Sequence, residues 1–586
     1  MTSLKTYCKV FLWVALVLLT LSLLNFPIKL RFEYHIVESL FAFGNLLFLF
    51  AFLYVIWIIL LFIASLIGNY LENFVIVGMF NLVFSGLWIN AFHVNLIDQY
   101  SLGGMKCIIE NGFIPFENWN LFYIDFPGLD LLAAFLNLIL KIDPYSLKDF
   151  FMLFYAFIFP ELLYIFYTKL LGNYRFAVLT TIILLHSNWM LTRASIIPGM
   201  CFWGGILSFL LMTCFLIVLL QEKKLERSIL LTVIMFTITI TYLPTSIFIF
   251  LMLLSICLFQ RKLREKAFIN SLLLIIHLLI IFAWVFYIAS RTQLFLVDCM
   301  RSVGEYDIME RILNYLHVSR VEESPLWVNA IQFFWITFAL IFGVLIFFWK
   351  ITFSLKKNVT ILNRTDTIIY CGITASLLIT VLMFLIMLGG LSHNRLQMFG
   401  TFFTTPMVIK YLLDLKKPLY IRKFCILLFI LIILLSLPTF IANNKRILSW
   451  PIYTYEHSSA MFLQHTLKDV RHIKLFSSLW YKYGFNQYYF PLAKYETESE
   501  WQYFDLTKSA QDLMVFWKTL VLKFSSEKFE ESNLKSIFIY SQRLKVNAKI
   551  FYNIEFDDPC WNEVVDELLK NQKVYDNGYV TLFTSL

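Results

Sequence analysis

Charge is what this chain has least of. Of its 586 residues only 15% are Asp, Glu, Lys or Arg, while 60% are hydrophobic and mean hydropathy is +0.73. That balance excludes an ordinary water-soluble globular protein and places the chain in the polytopic membrane class. Nine cysteines are scattered without a CxxC pair or a Cys/His pattern, which argues against a metal held by thiolates. Cys107, Cys299 and Cys560 fall in segments read as extracytoplasmic; a disulfide among them is left open, with free thiols as the default. No internal repeat is visible, and the polar C-terminal region carries no glycine-rich nucleotide loop. The first hydrophobic run, Val10 to Phe26 after Lys5 and Lys9, lacks a small-x-small cleavage site and reads as a retained helix. The net charge of +9 reflects lysines and arginines of short loops and not a nucleic-acid surface.

What is present is a series of apolar runs near the roughly 20 residues a span requires. Thirteen are expected: 10–26, 40–67, 74–92, 150–171, 176–191, 201–220, 229–243, 245–259, 268–289, 327–349, 367–390, 396–413 and 424–441. Four loops are markedly basic, at 221–227, 260–266, 350–366 and 414–423, and together hold fifteen Lys and Arg. Positively charged loops stay cytoplasmic. All four do so if the N-terminus is inside, if 229–259 is a tight hairpin broken at Pro244, and if Leu129–Leu140 is an interfacial segment that does not cross. The 93–149 and 290–326 loops, the turn at 392–395 and the C-terminus then lie outside, and the sequons at Asn358 and Asn363 inside.

After Ile441 the composition becomes that of a soluble domain. Helices are expected at Glu456–Leu467 and Glu563–Asn571, and strands at Ile473–Ser477 and Ser536–Tyr540. Asn577-Gly578 lies between two β-prone runs, the strongest short-range hairpin signal, because both central residues of a type I′ turn need positive φ. The expected fold is therefore an α-helical polytopic membrane domain over 1–441 followed by an extracytoplasmic α/β domain over 442–586.

One polar stretch stands out, His93 to Gly128, packing His93, Asp98, Lys106, Glu110, Glu117 and Asp125 between hydrophobic segments. Its Trp and Tyr residues also fit an interfacial loop at headgroup depth. Asp98, just beyond span 74–92, can serve as a general base toward a hydroxyl, or as an ordinary helix N-cap. Asp125, in Tyr-Ile-Asp-Phe-Pro-Gly, is a second catalytic candidate, with capping as its plain role. Arg193, His393 and Arg395 sit at outer helix ends; Arg395 offers a planar fork for phosphate, or snorkels to headgroups. Lys106 and Glu110, at i and i+4, form a surface pair or join His93 in the same binding set. Glu161, in mid-span after Pro160, suits a hydrogen bond across a bundle interface better than catalysis. Asp298, Arg301, Glu305, Asp307, Glu310 and Arg311 fit a solvated amphipathic helix.

The order of hydrophobic helix, Asp98, MKCIIENGFIP, aromatic patch and DFPGLDLLAAFLNLIL resembles the first outer loop of the GT-C superfamily of integral membrane glycosyltransferases. The likeness is to archaeal and bacterial branches reading roughly D-x-x-x-H…G-x-I-P…Y-x-x-F-P-G-h-h-h-L, and VYDNGYVTLF resembles their closing outer hairpin. The resemblance implies a polyprenyl-phosphate-linked sugar donor and transfer to a glycan, lipid or protein acceptor at the extracytoplasmic face of the cell membrane. It maps the family's acidic residue onto Asp98. The chain departs from the pattern in two places: Gln99 follows Asp98 where a second acid would stand, and Leu102 and Gly103 replace the His. A divalent metal is thereby left open. Within enzymes the alternative is a lipid-diphosphate-dependent glycan polymerase or ligase; outside them, a lipid-linked glycan flippase or transporter, or a scaffold displaying the C-terminal domain.

Overall fold

The computed structural model describes residues 2–29, 44–89, 94–95, 104–106, 108–109, 112–114, 125–142, 144–187, 204–221, 225–263, 271–289, 292–293, 341–348, 352, 364–386, 393–414, 451–452, 462, 472–476, 494–498, 521–522, 524, 534–541, 566–576 and 580–584. The chain divides into two compact units, one of Met1–Ala91 with Asp149–Asn444, the other of Phe92–Lys148 with Lys445–Leu586.

The first unit is helical. Its elements are α1 (Thr2–Lys29), α2 (Gly44–Ile67), α3 (Tyr70–Ile89), α5 (Pro144–Leu171, shared at its start with the second unit), α6 (Tyr174–Ser187), α7 (Gly204–Leu219), α8 (Leu225–Thr241), α9 (Leu243–Leu263), α10 (Ser271–Tyr287), α11 (Arg364–Ile386) and α12 (His393–Asp414). Twelve of the thirteen expected spans thus coincide with described helices, eleven through these elements and 327–349 through its helical residues 341–348. The thirteenth, 424–441, lies outside the described residues. Among the described residues no helix is long and apolar enough to cross a membrane.

Local chemistry sets the helix ends. Asn69 and Glu72 form a reciprocal capping box at the start of α3: the Glu72 backbone N–H donates to Asn69 Oδ1 at 2.9 Å and the Asn69 N–H to Glu72 Oε2 at 2.8 Å. Glu72 also pairs with Lys9 of α1 at 2.5 Å. Gly172 takes a left-handed φ of 66° after α5, and Asn173 Oδ1 accepts from the Arg175 N–H at 3.0 Å to begin α6. Only Tyr242 separates α8 from α9, with Pro244 in the first turn of α9, where a missing N–H costs nothing.

Aromatic and small residues set the packing. Trp57 of α2 stacks on Phe80 of α3 at 5.7 Å and donates from Nε1 to Thr20 Oγ1 of α1 at 2.9 Å. Phe399 of α12 lies against Phe209 of α7 and Phe248 of α9, with centroids at 4.9 and 4.5 Å. The Tyr167 hydroxyl of α5 donates to the Phe402 carbonyl of α12 at 3.0 Å. Many described residues on the outside of this unit are apolar as well. On α10, His277 is 0% exposed while Leu279 is 62% exposed, and Leu272, Ile275, Phe282 and Phe286 also face out.

In the second unit, β1 (Val94–Asn95) pairs antiparallel with β2 (Pro451–Ile452), and α4 (Gly128–Leu140) follows the polar stretch. A five-stranded mixed sheet holds β3 (His472–Phe476), β4 (Lys494–Glu498), β5 (Leu534–Ser541), β6 (Gln572–Asp576) and β7 (Val580–Thr584) in the order β4-β3-β5-β7-β6. β3 is parallel to β4 and β5, and β7 antiparallel to β5 and β6. Phe538 of β5 pairs with Phe583, so Leu582 faces the opposite side. Both Phe538 and Leu582 are fully buried, so the sheet is covered on both faces.

Two points differ from the sequence reading. The charged run Lys494–Glu498 was not read as a strand; it forms an edge, where charge is tolerated. The hairpin is present, but Asp576 pairs with Thr581, whereas a two-residue turn on Asn577-Gly578 would pair it with Tyr579. β7 is held in register by β5 on its other side, and an irregularity between Lys573 and Tyr575 absorbs the difference. The helix expected at Glu456–Leu467 lies outside the described residues except for Phe462, while 566–569 of the later one are helical.

Candidate functional site

The described part of the polar stretch is built on two short pieces and one helix. Gly104, Met105 and Lys106 form a helical turn; Gly104 and Met105 are buried and Lys106 half-buried. Gly112 takes a φ of 73°, which turns the chain. Asp125, 4% exposed, stands in the turn that leads to Pro127 and α4. Pro127 is the N-cap of α4, and it brings no side-chain hydrogen bond to that end.

The residue that the sequence reading missed is Asp130. It is the third residue of α4, 3% exposed, on a face with buried Leu129, Ala133 and Ala134. Its carboxyl lies against Gly104: a Cβ on that glycine would stand 2.8 Å from Asp130 Cγ. A signal was available. Asp130 is followed at i+3 and i+4 by two alanines, a small-residue stripe that lets backbone approach closely. Burial pushes the Asp130 carboxyl well above the usual carboxylate range. The sign follows from linkage. A carboxyl whose folded pKa is raised contributes its full stability below the unfolded value of about 3.9, and loses it as pH rises toward the folded value. Thermal midpoints measured across pH should therefore fall above about pH 4 more steeply in the wild type than in Asp130→Asn. Parallel profiles would show that the carboxyl is not buried in its protonated form.

Most of the other candidates fall outside the described residues. Asp98, His93, Glu110 and Arg193 lie outside the described residues. His393 opens α12 and Arg395 is its third residue; their side chains are likewise outside the described set. Among the described residues, no group of three or more His, Cys, Asp or Glu could hold a metal ion.

Two polar features belong to the helical unit. Glu161 of α5 lies against Gly78 of α3, with Oε1 2.7 Å from where a Cβ on that glycine would stand. Tyr164, one turn on, reaches the Tyr70 carbonyl of α3 at 3.0 Å. The second is a chain from Thr239 of α8 through Ser246 of α9 to His277 of α10, at 2.7 and 3.0 Å. Thr239 donates its only hydroxyl hydrogen to the Met235 carbonyl at 2.9 Å. Ser246 must then donate to Thr239, and His277 Nε2 to Ser246. Ser246 is thus oriented away from nucleophilic use, and the chain joins three helices by hydrogen bonds.

No family model and no curated protein matches this chain. Among solved structures it is similar to ArnT from Cupriavidus metallidurans bound to undecaprenyl phosphate. That similarity is 10% in identity, over 89% of this chain and 98% of that one, with a TM-score of 0.45. The apo form of ArnT from Cupriavidus metallidurans is similar at 9% identity, over 88% and 97% of the two chains, with a TM-score of 0.44.

Proposed function

We propose that the chain is a multi-pass membrane glycosyltransferase of GT-C-like architecture that moves a sugar from a polyprenyl-phosphate-linked donor to a glycan, lipid or protein acceptor at the extracytoplasmic face. The observation that carries the membrane part is the surface of the helical unit. Leu279, Phe286, Val233 and Ile229 are exposed while Thr239, Thr245, Ser246 and His277 are buried. A helix apolar on every side belongs in a large core or in lipid, and hydroxyl-rich contacts between helices suit lipid. The transferase part is supported by the motif order around Asp98 and by the buried acidic residues Asp125 and Asp130 that follow it.

In this reading the acceptor oxygen attacks the anomeric carbon as the bond from that carbon to phosphate oxygen breaks. The electron pair leaves with the phosphate, and the acceptor proton goes to Asp98. A cation must meet the developing phosphate charge, a part assigned to Arg395 with Lys106. His93, Glu110, Asp125, His393 and Arg193 complete the proposed lining.

Purified full-length protein should convert a polyprenyl-phosphate-linked sugar and release polyprenyl monophosphate, read by mass spectrometry. Release of a diphosphate lipid would favour the polymerase or ligase, and transbilayer movement without bond cleavage the flippase. The orientation has its own check. A cysteine placed at position 580 should react with an impermeant reagent from outside, and one at 263 should not. The reverse pattern would put the proposed site on the wrong face.

A further inference from the structure

The Asp130 carboxyl is buried, and it presses on the backbone of a glycine, Gly104. A buried carboxyl is costly unless neutral or matched, and its retention asks for a reason. Three ordinary reasons fail. Capping does not apply, since Pro127 holds the cap position without a side-chain bond. Favourable interaction with the helix dipole needs a charged carboxylate, which burial opposes. Solvation does not apply to a group 3% exposed. The contact with Gly104 supplies another, which is shape. The space a Cβ on Gly104 would fill is filled by the Asp130 carboxyl, and Ala133 and Ala134 leave room for it on the same face. Gly104 opens the helical turn that ends at Lys106, so seating Gly104 sets the direction in which the Lys106 stem leaves the backbone.

We infer that Asp130 is a positioning residue for the proposed transfer: it seats the Gly104–Lys106 turn, and through it the Lys106 ammonium that holds the donor's phosphate. The inference deepens the glycosyltransferase reading and rests on it for the identity of the donor. It predicts complementarity between two side chains distant in sequence. Adding a methyl at Gly104 should do harm only while the Asp130 carboxyl occupies the space.

The test uses purified full-length protein and two readouts, sugar transfer and direct binding of a polyprenyl phosphate. Asp130→Ala and Gly104→Ala should each raise the donor KM and weaken lipid binding, by up to about a hundredfold for a displaced contact, with kcat little changed. Asp130→Asn keeps the shape and should recover what Asp130→Ala loses. The double variant Gly104→Ala with Asp130→Ala should bind better than Gly104→Ala alone, since the new methyl enters the space the carboxyl left. Adding Asp130→Ala to Lys106→Ala should weaken binding no further, because Asp130 acts through Lys106. Loss of kcat in Asp130→Asn would make Asp130 a base and overturn the inference. So would a lower thermal midpoint in Asp130→Ala with unchanged KM and binding, which is a purely structural role. Wild-type protein that binds polyprenyl phosphate without transferring sugar would sink the transferase reading and leave the inference to the binding data. Wild-type protein that does neither would overturn both.

Discussion

Asp98→Asn protein, normalised to folded molecules and bound lipid, should transfer sugar about 10²- to 10⁴-fold more slowly than the wild type, the range a general base supplies. Asparagine keeps the size of the side chain and most of its capping ability, and removes the base. Asp98 follows a run that ends at the outer face in the proposed topology, so its carboxylate belongs at headgroup depth, where a lipid phosphate also lies. The departing phosphate needs a cation of its own, the part proposed for Arg395. Arg395→Lys keeps charge and loses the fork, and should retain part of the activity that Arg395→Met loses. A helix cap at Asp98 predicts something else. Removing a cap costs about 1 kcal/mol, which lowers yield and leaves turnover per folded molecule unchanged. Wild-type turnover in Asp98→Asn would return the residue to that role.

Gly372→Leu should destabilise the helical unit by about 1–3 kcal/mol, the usual cost of overpacking a filled core. A Cβ on Gly372 of α11 would stand 2.6 Å from Cε1 of Phe403 of α12. Phe403 is fully buried, with Phe248 at 5.8 Å and Phe402 at 5.0 Å between ring centroids. Its ring has nowhere to swing, so α11 and α12 must part. The Ser376 hydroxyl, which donates to the Gly372 carbonyl at 2.7 Å, would be strained in the same step. α12 begins at His393 and carries Arg395 as its third residue, so the displacement should also raise the donor KM. A helical unit of this size need not unfold in two states, so the measurement is the rate of thermal inactivation compared with Gly372→Ala, where a smaller group asks for a smaller shift. Equal inactivation rates for Gly372→Leu and the wild type would mean that the helices are not in close contact there.

The helices were legible in the sequence because helix formation is local. Each backbone hydrogen bond closes between near neighbours, and an apolar run bounded by Asn69 and Glu72, or by Gly172 and Asn173, carries its own start and stop signals. The hairpin of β6 and β7 was legible for the same reason. Its register was not, because β5 holds β7 from the other side. β4 escaped notice because an edge strand needs no apolar alternation, and only its pairing with β3 identifies it. The acids show the same division. Composition marked the stretch around Asp98 and Asp125 as unusual, and chain order placed Glu161 in mid-span. Only tertiary structure decided that Asp130 is set against Gly104 and Glu161 against Gly78. A glycine in sequence says that a Cβ is absent. Which carboxyl takes its space depends on two segments meeting, and that meeting is decided by the packing of whole elements.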